Sequence, residues 1–249
     1  MKTSGGSDAA KRRAGESAAE AVSDGDVVGL GTGSTAAHAI RAIGRRVDAG
    51  LDVRGVPTSF ASRELARERG IPLVDLDEVV TSGSASAASN GGSDDVTEDR
   101  SGIDVAIDGA DQVAAADLIK GGGAAHAREK VVDAAAERFL VVADPSKETD
   151  VLDRSVPVEV LPNARSTVAR TIREVGGEPT LRRVERKDGP VVTDNGNLVL
   201  DCAFGPIDAP GSLATTLSTI PGVVEHGLFV GLADEIHVGT ADEVRIVES

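Results

Sequence analysis

Aromatic and sulfur-containing residues are scarce in this chain of 249 residues. It has no tryptophan or tyrosine, four phenylalanines and a single cysteine, Cys202. One cysteine excludes an intrachain disulfide, and so few aromatic rings leave little from which to build a surface that stacks nucleic-acid bases. The longest apolar runs, such as residues 139–143, are far shorter than the roughly 20 residues that a membrane-spanning helix needs. We therefore expect neither a nucleic-acid-binding protein nor a membrane protein.

Acidic residues dominate the charge of the chain. Asp and Glu number 41 against 26 Lys and Arg, and the resulting net charge of -15 repels phosphate backbones. Only six of the basic residues are lysines. This composition is typical of proteins from a salt-rich cytoplasm, where ions screen the repulsion, although drift in a GC-rich genome would give a similar bias. Residues 1–22 lack the apolar stretch of a secretory signal, so we expect a cytoplasmic location.

The first half of the chain alternates between strand-like and helix-like segments. Residues 27–30 form a short apolar run that ends in a glycine-rich turn, and Ala36, Ile40 and Ile43 then fall on one helical face. Further strands are expected at residues 53–56, 71–74, 103–107 and 139–143, and further helices at 61–69 and 124–137. This alternation predicts an α/β fold with a Rossmann-like parallel sheet.

The pattern changes after about residue 153. The expected order is a strand at 156–161, a helix at 166–175, a strand at 180–186, a hairpin at 191–200 with a type I′ turn at Asn-Gly, a helix at 213–219 and a strand at 227–232. This βαββαβ order is typical of a ferredoxin-like α+β domain.

We expect residues 1–152 and 227–249 to form the Rossmann-like domain and residues 153–226 the smaller ferredoxin-like domain. The segment 235–247 should return to the first sheet. Residues 81–102, which are rich in Ser, Gly and Asp, are interpreted as a flexible surface insertion.

Polar clusters follow several of the expected strands, where an open parallel sheet binds its ligands. The first cluster contains Thr32, Gly33, Ser34 and Thr35 in the sequence GLGTGST. Its glycines let the backbone approach an anion, and its hydroxyls suit a phosphate monoester. A turn followed by a helix N-cap is the structural alternative, but it accounts for only one hydroxyl.

The second cluster is Asp108-Gly109-Ala110-Asp111, at the end of an expected strand. Its two carboxylates could bind a metal, accept hydrogen bonds from sugar hydroxyls and move protons, or simply be solvated. A metal is disfavoured because the four histidines show no ligand spacing.

The third cluster runs from Lys120 through Gly121, Gly122 and Gly123 into a helix that carries Glu129. Consecutive glycines before a helix form an oxyanion-binding nest, and a lysine adds a full positive charge. A partly desolvated Glu129 could abstract a proton next to a carbonyl. Alternatively, Glu129 could be a surface residue that pairs with a basic neighbour.

Lys147 ends the segment Ala143–Lys147, which follows another expected strand. Three of the six lysines, at 120, 130 and 147, fall within or next to these clusters although the chain otherwise favours arginine. We infer that a compact ammonium is needed at these positions.

Eight ordered motifs together resemble the A type of ribose-5-phosphate isomerase, from about residue 9 to the C-terminus without the 81–102 segment. They are GLGTGST at 29–35, PTS at 57–59 with Ser62, IDGAD at 107–111, LIKGGG at 118–123, REK at 128–130, ADPSK at 143–147, VPVEV at 156–160 and TDNGN at 193–197.

The resemblance implies interconversion of D-ribose 5-phosphate and D-ribulose 5-phosphate through a cis-enediolate, in the non-oxidative branch of the pentose phosphate pathway. It implies no metal or organic cofactor and a homodimer or homotetramer. Thr32–Thr35 and Lys147 would bind substrate, Asp108–Asp111 would help to open the sugar ring, and Lys120–Gly123 would meet the enediolate. Glu129 would accept the proton, and Lys11 would match an N-terminal phosphate-binding lysine.

Three other functions use similar residues. A CoA-transferase-like enzyme would use Glu129 as a nucleophile. A regulator that senses sugar phosphates would need a basic DNA-binding segment, for which residues before the first strand offer too little. A nicotinamide enzyme would require the third glycine that Ser34 replaces.

Overall fold

The computed structural model describes residues 6–82, 102–184 and 188–248. Its helices are α1 (Asp8–Ala19), α2 (Ala36–Asp48), α3 (Phe60–Glu68), α4 (Leu76–Ser82), α5 (His126–Ala134), α6 (Arg165–Glu174) and α7 (Pro210–Ser218). Its strands are β1 (Val27–Leu30), β2 (Arg54–Pro57), β3 (Ile103–Gly109), β4 (Gln112–Ala114), β5 (Asp117–Ile119), β6 (Ala136–Ala143), β7 (Val156–Val160), β8 (Glu178–Leu181), β9 (Leu198–Ala203), β10 (Val223–His226), β11 (Leu228–Phe229), β12 (Glu235–Gly239) and β13 (Val244–Glu248).

Six strands form the central sheet in the order β13-β12-β6-β3-β1-β2. All neighbouring pairs are parallel except β12 with β13. Helices α1 and α2 cover one face, where Ile40 and Ile43 join the buried cluster that contains Leu30, Ile107 and Leu140. Burial of these side chains stabilises the sheet by about 1.5–3 kcal/mol each. The predicted Rossmann-like sheet, including the return of residues 235–247 to it, is confirmed.

A second, four-stranded sheet is built from the order β7-α6-β8-β9-α7-β10. Its strands lie in the order β10-β7-β9-β8 and all of them pair antiparallel. This is the βαββαβ arrangement predicted from the sequence, and it confirms the ferredoxin-like unit. Where the two domains divide along the chain stays a prediction.

A small three-stranded sheet, in the order β11-β5-β4, joins the two larger units. Successive side chains of a strand point to opposite faces. Leu118 and Phe229 therefore pack with Phe139 of the central sheet, whereas Ile119 and Leu228 join the core of the second unit. This intermediate layer fixes the position of Lys120, the residue that follows β5.

The predicted last strand at 227–232 is wrong. Strand β10 ends at His226, and the next two residues pair with β5 instead. The chain changes sheets at Gly227, where a Cβ atom would lie only 2.2 Å from the carbonyl oxygen of Lys120. That carbonyl oxygen leaves no room for any other residue type.

Three other local predictions need correction. Residues 71–74 form only an isolated bridge between Leu73 and Gly55, because Pro72 has no N–H to donate. The 191–200 hairpin pairs through a single bridge, and Gly196 alone has a positive φ, of 82°, whereas a type I′ turn requires two such residues. Most of the expected insertion at 81–102 lies outside the described residues.

Candidate active site

A cavity of about 130 Å³ opens at the carboxyl ends of β1 and β3. It brings together the residues that the sequence predicted to bind substrate, except Asp108 and Lys11. The lining consists of Thr32, Gly33, Ser34, Thr35, Gly109, Ala110, Asp111, Lys120, Gly121, Gly122, Gly123, Glu129 and Lys147.

One wall of the cavity is the turn that leads from β1 into α2. Gly33 has a φ of 113°, which glycine adopts without strain. Thr35 is the N-cap residue of α2, yet its side chain makes no capping hydrogen bond. The turn therefore presents a helix N-terminus and a hydroxyl group to the cavity, a combination that favours an anion.

A hydroxyl network holds this wall in place. The Thr32 hydroxyl lies 2.9 Å from that of Thr58 and donates to that of Ser59 at 2.7 Å. Ser59 and Ser62 form a capping box at the start of α3. These residues form part of the PTS motif, and a Ser-x-x-Ser spacing before a helix indicates a cap.

Asp108 lies behind the cavity and does not line it. Its carboxylate accepts hydrogen bonds from the backbone N–H groups of Thr32, at 2.8 Å, and Gly109, at 2.7 Å. It also pairs with Lys120 at 2.9 Å. Asp108 is fully buried by these neighbours and positions Lys120 and the Thr32 turn, and its expected contact with the substrate stays a prediction.

Lys120 is one of the largest fully buried side chains of the molecule. Its ammonium donates to the carbonyl oxygen of Gly109 at 2.6 Å, and the ring of Phe229 lies 5.2 Å away. Burial alone would lower the pKa of Lys120, but the carboxylates of Asp108, Glu129 and Asp133 outweigh it and raise the pKa above its usual value. Lys120 is therefore a permanent cation at the base of the cavity.

Glu129 lies in the first turn of α5 and is buried on the cavity wall. Its Oε2 atom is 3.6 Å from Nζ of Lys120, an ion pair longer than a hydrogen bond. Burial raises the pKa of Glu129 to about 8, against the opposing effect of Lys120 and with a further contribution from Asp108. The alternative that Glu129 is a surface residue is wrong, because its side chain is buried. Its basic neighbour Lys130 donates to Glu225 instead, at 2.6 Å.

Asp133 was missed by the sequence analysis. It lies one turn after Glu129 on α5, is buried, and has an oxygen 3.8 Å from Nζ of Lys120. Burial and the charge of Asp108 raise the pKa of Asp133 well above its usual value. Three carboxyl groups thus surround one ammonium. The sequence could have revealed Asp133, because it follows Glu129 by four residues and this spacing places both side chains on one helical face.

The glycine segment also lines the cavity. Gly121 has a φ of 98°. The backbone N–H of Gly122 donates to Oδ2 of Asp111 at 2.6 Å, and a Cβ on Gly122 would lie 2.6 Å from Oδ1 of the same carboxylate. Only a glycine at position 122 lets the Asp111 carboxylate approach the backbone this closely. Asp111 lines the cavity, whereas Asp108 of the same loop does not.

Lys147 completes the lining from a short 3-10 turn after β6. Asp144 caps this turn by accepting from the backbone N–H of Ser146 at 3.0 Å. Burial lowers the pKa of Lys147, Asp111 opposes this change, and the charge of Lys11 adds to it. Lys11 itself does not line the cavity, but its charge reaches this edge.

Within the described ranges, the structure shows neither a membrane-spanning helix nor a cluster of metal ligands. No helix there is long and apolar enough to cross a bilayer. Nor are three His, Cys, Asp or Glu side chains, within those same ranges, grouped in a way that could hold a metal ion.

The chain is similar to known proteins over nearly its whole length. Residues 80–243 match the family model of ribose 5-phosphate isomerase A (phosphoriboisomerase A). Ribose-5-phosphate isomerase A of Halorubrum lacusprofundi is 72% identical, with 99% of both chains covered. That of Haloarcula marismortui is 68% identical, with 97% of this chain and 96% of the relative covered. Both are haloarchaeal proteins, which fits the acidic composition.

Solved structures agree with the sequence relatives. Ribose 5-phosphate isomerase A from Methanocaldococcus jannaschii superposes with a TM-score of 0.84 at 41% identity, covering 96% of this chain and 98% of its own. A D-ribose-5-phosphate isomerase in complex with phospho-erythronic acid superposes with a TM-score of 0.85 at 38% identity and the same coverage. The chain therefore belongs to the ribose-5-phosphate isomerase A family.

Proposed function

We propose that this chain interconverts D-ribose 5-phosphate and D-ribulose 5-phosphate in the cavity described above, through a cis-enediolate, as a step of the non-oxidative pentose phosphate pathway. The observation that carries the proposal is the buried Glu129 carboxyl on the cavity wall, 3.6 Å from the Lys120 ammonium. A base and a cation side by side suit proton abstraction next to a carbonyl, because the cation stabilises the oxyanion that forms.

The phosphate end of the substrate is assigned to the Thr32–Thr35 turn and Lys147. The α2 N-terminus supplies the positive end of the helix dipole and the uncapped Thr35 hydroxyl, and Lys147 supplies positive charge to the same cavity. Lys11 adds long-range charge to this edge. The other end of the sugar then lies toward Glu129 and Lys120.

Proton transfer follows from this orientation. Glu129 takes the proton from C2 of the open-chain aldose, and the C–H electron pair forms the C1–C2 double bond while the carbonyl electrons move to O1. Lys120 and the backbone amides of Gly121 and Gly123 meet the negative charge on oxygen, while the Gly122 amide stays bonded to Asp111. A proton passes from O2 to O1, Glu129 returns its proton to C1, and the product is the ketose. One base suffices because both carbons present the same face.

Ring opening needs a group that reaches the sugar hydroxyls. Asp111 lines the cavity whereas Asp108 is enclosed behind it. We therefore assign the contact with the ring to Asp111, and assign to Asp108 the positioning of Lys120.

The test is formation of ribulose 5-phosphate from ribose 5-phosphate by the purified chain in molar salt, with and without a chelator. We expect turnover in both samples, and competitive inhibition by phospho-erythronic acid, whose carboxylate resembles the two enediolate oxygens. Absence of turnover in molar salt would refute the proposal. The cytoplasmic location and the dimeric or tetrameric state stay predictions.

A further inference from the structure

One peptide group of the glycine segment is bound at both ends by charged side chains. The Gly121–Gly122 peptide donates its N–H to the carboxylate of Asp111 at 2.6 Å. Its carbonyl oxygen, on Gly121, accepts a hydrogen bond from Nη1 of Arg182 at 2.8 Å. The same Nη1 lies 3.4 Å from the carbonyl oxygen of Gly122.

Arg182 comes from the other unit of the molecule. It follows β8 in the four-stranded sheet, and its backbone N–H donates to the carbonyl oxygen of Val199 in β9. Its guanidinium is fixed by Asp201 of β9, which accepts from Nε at 2.9 Å and from Nη2. Only 12% of the Arg182 side chain is exposed. A planar guanidinium held at both of these nitrogens has little freedom to move its third nitrogen.

The two contacts reinforce each other through the amide. A cation at the carbonyl oxygen draws electron density from the N–H group, and the N–H becomes a stronger donor to the Asp111 carboxylate. Asp111 lines the cavity, and no other described hydrogen bond reaches its carboxylate oxygens. Arg182 itself does not line the cavity.

We propose that Arg182 is a positioning residue of the reaction: from the ferredoxin-like unit it fixes the Gly121–Gly122 peptide and, through that peptide, the Asp111 carboxylate. This inference rests on the proposed function. It gives the second unit a part in the reaction, although none of the described residues of that unit lines the cavity.

The first test compares Arg182→Ala with Arg183→Ala. Arg183 is the next residue, is exposed and pairs with Pro190 only through the backbone bridge. We expect Arg182→Ala to lower kcat at least about tenfold with a KM change below about threefold, because the phosphate-binding turn is untouched. Added guanidinium at millimolar concentration should restore part of the lost kcat. Arg183→Ala should match the parent, with or without guanidinium.

A second variant distinguishes a loss of positioning from a folding defect. Asp201→Asn leaves Arg182 in place but weakens its anchor, so we expect a smaller loss of kcat in the same direction. Two results together would refute the positioning role. The first is that the inactive Arg182→Ala sample also lacks a cooperative unfolding transition, and the second is that Asp201→Asn keeps the parent kcat.

The decisive test is a double variant. If Arg182 acts through Asp111, Arg182→Ala should change kcat by less than about threefold in an Asp111→Asn background, although it costs at least about tenfold in the parent. If the two losses multiply, Arg182 does not act through Asp111 and the inference fails. An inactive parent would instead refute the proposed function, so the two failures are distinguishable.

Discussion

The ammonium of Lys120 lies 2.9 Å from a carboxylate oxygen of Asp108, and both side chains are almost completely buried. Removing one charge of a buried pair costs about 3–5 kcal/mol when the other charge is left uncompensated. Glu129 and Asp133 remain near the Lys120 ammonium, at 3.6 and 3.8 Å, and partly compensate its charge. We therefore predict that Asp108→Asn lowers the free energy of unfolding by about 1–3 kcal/mol in urea titrations at constant high salt. Asp150→Asn, at an exposed position, is the control. A loss below about 1 kcal/mol would show that the pair does not stabilise the fold.

Thr35→Ala tests the phosphate-binding turn. The Thr35 side chain lines the cavity without capping α2, so its removal should cost little stability. We predict that KM for ribose 5-phosphate rises about tenfold, the worth of one hydrogen bond to a charged group, while kcat changes less than about threefold. Thr215→Ala on α7 serves as the control. A fall in kcat at constant KM would contradict the assignment of the phosphate to this turn.

The pH dependence of kcat/KM follows from Glu129. Only the ionised carboxylate accepts a proton, and burial raises the pKa of this group to about 8. Activity should therefore be low in mildly acidic solution and rise with pH to a plateau, with its midpoint near 8. Initial rates at low substrate concentration over a pH series give the profile. A flat profile from mildly acidic to mildly alkaline pH would contradict the burial of the base.

Asp133→Asn should change how stability depends on pH. The pKa of Asp133 is raised in the folded state by burial and by the charge of Asp108. The stability that this group contributes is therefore present at low pH and lost as the pH rises through the folded-state pKa. Asparagine cannot ionise, so the variant should gain stability relative to the parent between about pH 5 and about pH 8. Urea titrations at both pH values measure the difference, and a constant difference would refute a raised pKa.

The polar clusters of the site could be predicted because of one rule of parallel sheets. Segments that follow β1, β3 and β6 end at the same edge, so Thr32–Thr35, Asp108–Asp111 and Lys147 had to lie close together. The position of Glu129 on its helix was enough to predict that its side chain lies toward the cavity. The order of predicted strands and helices was likewise sufficient for both main units of the fold.

Other features of the site depend on contacts that spacing cannot reveal. Asp108 and Asp111 share one loop, and only the packing of Thr32 and Lys120 decides that the first is enclosed and the second lines the cavity. Arg182 reaches Gly121 across 61 positions from another sheet. Strands β4, β5 and β11 have two or three residues each, which is too short for a period-two pattern to stand out.

The most direct test of the account is the turnover of Glu129→Gln in molar salt. Glutamine keeps the size of the side chain but cannot accept the C2 proton, so we predict that kcat falls at least about a hundredfold while KM changes little. Glu137→Gln, at an exposed position just beyond α5, should behave like the parent. Near-normal turnover by Glu129→Gln in a cooperatively folded sample would remove this carboxyl from the mechanism and contradict the account.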